Sequence, residues 1–255
     1  MHRIRSLLPA AMLAALSVGV GVGAAHDSGA GAAAHAQRSG PPPLPPARDF
    51  VRQVDNPWFP LKPGTVLTSR GEDEGTPATD VFTVTHRTKR IQGIRTTVVF
   101  DRVFEHGRVV ERTHDYYAQD RNGNVWYLGE DTATLKRDGS VESREGTFRA
   151  GRDGARAGII MPAHPRPGQT GWQEFYVGHA QDRFKVLNRH TRVRTPAASS
   201  RHAMLVQETT PIEPGVIDHK IYVRGIGTVR EVTIKGGNER YRLVSVRHLS
   251  PRLTG

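Results

Sequence analysis

The feature that most constrains this chain is the spacing of its turns. From Thr65 to His248, short runs rich in Val, Thr, Ile, Tyr and Phe are closed by Gly, Asp, Asn or Pro, the signature of strands and turns. The connecting pieces are brief: Gln92-Gly93, His106-Gly107, Arg121-Asn122-Gly123, Asp138-Gly139, Gly225-Ile226-Gly227 and Gly236-Gly237-Asn238. Links of about two to five residues cannot carry a parallel crossover, so the strands they join pair antiparallel. Strands are predicted over 65–70, 79–88, 94–105, 108–119, 125–131, 133–137, 140–149, 171–178, 182–194, 202–210, 217–224, 228–235 and 239–248, and helical periodicity is nearly absent. An open sheet of so many strands exposes long edges and tends to curl or close. The expectation is an all-β antiparallel meander forming a curved sheet, half-barrel or barrel, a single domain over 49–255.

What precedes that domain is of another kind. Met1-His2-Arg3-Ile4-Arg5 is a basic start followed by an apolar run from Leu7 to Ala25, with small residues at Gly23-Ala24-Ala25 and again at Ala34-His35-Ala36. This pattern predicts a Sec-type secretory signal over 1–25 and export from the cytoplasm, with cleavage after Ala25 or Ala36. No cysteine follows it, so a lipoprotein anchor is not expected. Residues 26–48, rich in Ala and Gly and then Pro41-Pro42-Pro43-Leu44-Pro45-Pro46, predict a disordered, partly polyproline II spacer.

With no Cys in 255 residues, disulfides, thiolate nucleophiles and zinc-thiolate sites are excluded. The 36 Lys and Arg against 25 Asp and Glu give a formal charge of +11. Outside the cytoplasm such an excess favours anionic partners, such as a wall polymer, a membrane surface or an envelope lipid. Nucleic acid is not expected, because the arginines are scattered through strands without a helix-turn-helix, zinc-finger or RNP pattern. A monomer is expected.

Asp120-Arg121-Asn122-Gly123-Asn124 suits a type I turn with Gly in the left-handed region, and matches a calcium loop poorly. Around it, Asn56-Pro57-Trp58-Phe59-Pro60-Leu61-Lys62-Pro63-Gly64-Thr65, Asp115-Tyr116-Tyr117-Ala118-Gln119-Asp120, Gly123-Asn124-Val125-Trp126-Tyr127-Leu128-Gly129-Glu130, Gly158-Ile159-Ile160-Met161-Pro162-Ala163 and Gly236-Gly237-Asn238-Glu239-Arg240 together resemble an uncharacterised family of exported bacterial β-rich proteins. The resemblance spans roughly residues 55–247. It implies secretion and one β domain, and supplies no catalytic residues. In general plan the family is similar to lipocalin-like half-barrels and envelope lipid carriers.

Common hydrolase signatures are missing, including Gly-x-Ser-x-Gly and His-Glu-x-x-His. An enzyme is the less favoured class, although Glu130, Glu174 and Glu208 are candidates for paired carboxylates. If Thr210 faces Ile217, Met204, Val206 and Glu208 lie opposite Val223, Ile221 and His219. Glu208 and His219 then pair at the end of an apolar stripe, to close the core, contact a ligand or, as a further alternative, hold a metal or work in hydrolysis. Glu174 joins them if Trp172, Glu174 and Tyr176 share the inward face. Whether a metal or cofactor is used stays open. Ile159, Ile160 and Met161, lying before prolines, suggest a lid over a cavity mouth or a cap on the core. The favoured function is a secreted envelope module that binds an apolar or amphipathic ligand, including anionic ones. The alternative is a structural or adhesive surface protein attached through its basic face.

Overall fold

The computed structural model describes residues 40–250; the signal expected over 1–25 and most of the spacer lie outside the described residues. There are fifteen strands and, among the described residues, one short 3-10 turn at Ala47–Asp49 and no α-helix. β1 (Thr65–Asp73), β2 (Thr76–Ile91), β3 (Ile94–Glu105), β4 (Arg108–Gln119) and β5 (Val125–Leu135) form one meander. β11 (Arg183–Arg194), β12 (Ser199–Thr209), β13 (Ile217–Val223), β14 (Gly227–Lys235) and β15 (Arg240–His248) form a second. The two join where β1 pairs with β15, from Thr65 opposite His248 to Glu72 opposite Arg240. All pairs are antiparallel, and the sheet is a nearly closed barrel.

Turn chemistry explains the first meander. Glu74-Gly75, Gln92-Gly93 and His106-Gly107 each place two successive residues at positive φ, with Asp73 facing Thr76, Ile91 facing Ile94 and Glu105 facing Arg108. These two-residue loops are type I′ turns, whose twist matches that of the strands they join.

The other edge of β5 takes the short strands β6 (Val141–Ser143), β7 (Phe148–Arg149) and β8 (Arg156–Met161). Closure is made by β9 (Thr170–Trp172) and β10 (Glu174–Phe175), which pair with β11 and β8 respectively. One stretch of chain, bent at Gln173, thus ties both edges of the sheet together. A side chain at Gly158 would meet the Gln173 and Trp172 carbonyls at about 2.5 Å, so this seam needs glycine for close backbone approach.

Several expected boundaries move. The runs 125–131 and 133–137 are the single strand β5, 140–149 divides into β6 and β7, and β8 is a strand the turn pattern did not indicate. The end of the expected spacer is packed: Leu44 and Phe50 lie against an outer cluster of Ile91, Ile94, Val98, Tyr116, Trp126 and Leu128. The Arg156 guanidinium donates to the Pro41 carbonyl.

The segment Asn56–Leu61 plugs one end of the barrel. Asn56 Nδ2 donates to the Gly123 carbonyl at 2.9 Å and the Pro162 carbonyl at 3.1 Å, while its Oδ1 accepts the Trp58 N–H at 2.8 Å. Gln119 Oε1 accepts the Asp55 and Asn56 N–H groups. Trp58, Phe59 and Leu61 then enter the main core, with Phe59 edge-on to Tyr117 and Tyr117 stacked on Tyr127. Asp120 closes the adjacent turn: its carboxylate accepts from the Asn124 backbone and amide and from Trp126 Nε1. The family-like segments at 56–61, 120–124 and 158–163 therefore meet at one end, to hold the plug.

Candidate functional site

Alternation along a strand places every second residue inside the barrel, and here the inside is acidic. On β3, Val99, Asp101, Val103 and Glu105 are buried; on β4, Glu111, Thr113, Asp115 and Tyr117. Among the described residues fourteen Asp and Glu are buried, against a single Lys or Arg, Lys220. Lys220 Nζ lies 2.7 Å from Glu208 Oε2 and 3.6 Å from Glu231 Oε1, and Gln173 Nε2 donates to Glu208 Oε1 at 2.8 Å. Burial acts to lower the Lys220 pKa, but Glu208 and Glu231 outweigh it and hold the ammonium well above its usual range. Among the described residues Asp80, Asp115 and Glu174 have no cation within ion-pair distance. Burial, then the charge of Asp101, pushes Asp80 and Asp115 well above the ordinary range, and burial, Asp182 and Glu130 do the same to Glu174. These acids hold their protons more tightly than free carboxyls do, and Asp115 accepts the Tyr127 hydroxyl at 2.6 Å.

The expected Glu208/His219 pair does not form. Glu208 faces Asp218 and Gln207 faces His219, because the β12–β13 loop turns one residue out of the expected register. A slip of one moves a side chain to the other face, so His219 lies on the outer wall, half-buried, while Glu208 points inward. Burial draws the His219 pKa down, opposed by Asp218. Glu174 and Glu208 are both interior and act on one another electrostatically. Trp172 departs from them: its cross-strand partner is Arg183, whose guanidinium lies 3.9 Å from the ring. Tyr176 stacks on His179 beyond the bend. The lid over a cavity mouth is likewise overturned, because Ile159, Ile160 and Met161 belong to β8, with Met161 facing Val125 and Ile159 facing Trp126. Among the described residues, no group of three or more His, Asp or Glu has the geometry to hold a metal ion.

With the acids inside, the outer wall is more cationic than the formal charge states. Arg230 on β14 faces Arg242 on β15, and Arg242 faces Arg70 on β1. Three exposed arginines thus stand abreast on adjacent strands roughly 4.8 Å apart. Among the described residues none of the three has a carboxylate within ion-pair distance, whereas the neighbouring Arg240 binds Glu72 at 2.7 Å. Like charges directly opposite are destabilising. Arg70 also lines a groove of about 470 Å³ on this wall, shared with Pro77, Thr79, Val81, Phe104 and His106. Arg102 borders it, stacked 5.5 Å from the centre of the Phe104 ring and directly opposite Arg112. Sequence reading missed this site, because the arginines that meet here come from runs up to 172 residues apart (Arg70 to Arg242) and register alone aligns them.

No family model matches the chain, and no curated protein does. Two solved structures are similar. One is a Bacteroides fragilis protein assigned as exported, with a YmcC-like fold: 14% identity, 74% of this chain and 98% of that one covered, TM-score 0.44. The other is a Parabacteroides distasonis protein assigned as a lipoprotein: 10% identity, 76% and 100% covered, TM-score 0.40.

Proposed function

We propose that this protein is an exported binding module for an anionic amphiphile, taken on the outer wall of the barrel rather than within it. The observation that carries the reading is the uncompensated row Arg230–Arg242–Arg70 beside an apolar-walled groove. An anion set among the three guanidinium groups removes their mutual repulsion and accepts their hydrogen bonds. Pro77, Val81 and Phe104 offer the attached chain a surface, in a groove of ordinary ligand-site volume. The signal-like start, Met1 to Ala25, supports an extracytoplasmic location.

The test uses dihexanoyl phosphatidic acid below its micelle concentration, with glycerol phosphate, inorganic phosphate and dihexanoyl phosphatidylcholine as comparisons. Phosphatidic acid should raise the melting temperature most, the free phosphates less, and Arg242→Gln should abolish all three effects. Equal binding of phosphatidylcholine, or an unchanged shift in Arg242→Gln, would overturn the proposal.

A second reading, attachment to an anionic wall polymer, rests on the β11–β12 hairpin. Between Arg183 and Gln207 there are six Lys and Arg and no acid, with Lys185, Arg192, Arg194 and Arg201 exposed. Loss of pull-down by cell-wall preparations in an Arg192→Gln/Arg194→Gln/Arg201→Gln variant, with phosphatidic acid binding intact, would favour it. Retained pull-down would remove it.

A further inference from the structure

Beneath the plug lies a smaller and chemically opposite site. Phe59, Leu61, Leu67, Phe82 and Ile226 wall a cavity of about 40 Å³, and Asp80 lies in its lining. Asp80 is 3% exposed, and its Oδ1 is buried with no hydrogen-bond partner. Asp101 stands diagonally across the β2–β3 pair, since Asp80 faces Val103, and its carboxyl meets that of Asp80 in a hydrogen bond when one of the two is protonated. A buried oxygen without a partner costs about 1–3 kcal/mol, and Asp80 Oδ1 lies by a space that opens toward the half-buried Phe82 and Ile226.

We propose that this cavity is a binding site for a primary ammonium carried on a short apolar stem, its N–H donors meeting Asp80, backed by Asp101, and the stem lying against Phe82 and Ile226. This site is separate from the outer groove and takes a ligand of opposite charge. The fit is one of sign: an ammonium brings donors and no acceptor to a buried acceptor, Asp80 Oδ1, that no N–H donor of the described residues reaches. Its size suits the head of a small amine, and a cavity needs only about 10–15 Å³ to admit a water-sized group. Burial holds both carboxyls above their usual range, so the site should take up an ammonium more readily as pH rises. The charged groups acting on the pair are Glu231 and Glu111, which oppose ionisation, and Lys220 and Arg102, which favour it.

The test is the thermal shift of the whole exported chain with n-hexylammonium, compared with 1-hexanol and tetramethylammonium. Hexylammonium should stabilise the protein at millimolar concentration, with tighter binding at pH 8 than at pH 6. Hexanol, without the charge, and tetramethylammonium, without N–H donors, should give less than a tenth of the effect. Asp80→Asn, which keeps the shape of a neutral carboxyl, should lose the response. Ile226→Trp leaves the carboxyls untouched, blocks the approach and should lose it too, so a poorly folded Asp80 variant would not end the test. A hexanol shift equal to that of the amine, or a full response in Ile226→Trp, overturns the proposal. Neither outcome bears on phosphatidic acid binding at Arg242.

Discussion

Replacing Lys220 with Met removes the one cation buried inside the barrel while keeping most of its volume. The structure sets the size of the effect. The ammonium lies 2.7 Å from Glu208 and 3.6 Å from Glu231, and all three side chains are less than a tenth exposed. Removing one partner of such a buried pair costs about 3–5 kcal/mol, because a charge is left without compensation. Glu208 keeps its bond from Gln173, which argues for the lower end, about 3 kcal/mol. At roughly 2–4 °C per kcal/mol for a domain of this size, the melting temperature should fall by about 6–12 °C at pH 7.5. The folded variant can relieve the stranded charge by binding protons more tightly than the unfolded chain, whose Glu side chains titrate near 4.3. Groups raised in this way stabilise the fold below the unfolded value and lose that contribution as pH rises through the folded one. The deficit should therefore be small near pH 4 and full by pH 7.5. Urea unfolding followed by far-ultraviolet circular dichroism at both pH values measures it. A deficit below 1 kcal/mol at pH 7.5, or one equal at the two pH values, would refute the reasoning.

Two other outcomes follow from the same interior and from the plug. Asp80, Asp101, Asp115, Glu130, Glu174 and Asp182 are all held above their usual range, mainly by burial, so wild-type stability should decline from mildly acid to alkaline pH; a melting temperature at pH 9 equal to or above that at pH 5 contradicts this. Asn56→Ala removes two donated bonds and one accepted bond at the plug. At about 1 kcal/mol each, more where a buried group is stranded, the cost should be about 2–4 kcal/mol, measured as a lower urea midpoint, and a loss under 0.5 kcal/mol would mean that Trp58 and Phe59 hold the segment unaided.

The meander was legible in the sequence because its turns are written in Gln-Gly, His-Gly and Asn-Gly pairs whose backbone demands are local. β8 was not: Gly158-Ile159-Ile160-Met161, lying before Pro162, reads as a lid or a cap, and only pairing with β5 and β10 makes it a strand. The β12–β13 register failed because Pro211 to Val216 has no two-residue turn to fix it, and a slip of one exchanges His219 for Asp218 at the inner face. The acidic interior was missed for a more general reason. Alternation was taken to separate apolar inside from polar outside, whereas Val99-x-Asp101-x-Val103 carries its carboxyl on the same face as its valines. An acid in phase with flanking valines was the signal available.

The arrangement of strands also sets the order in which the molecule can form. Within each meander every pairing is between neighbours in sequence, and such contacts close short loops at little entropic cost. The two joints between the meanders are different: Thr65 must find His248, and the stretch from Thr170 to Phe175 must reach β8 on one side and β11 on the other. Such distant closures raise contact order and slow folding. Neither meander alone can shield the carboxyls on its concave side, so each gains little until the other arrives. The two long-range joints are therefore the costliest contacts to close, and the bent stretch around Gln173 is the latch that completes the barrel.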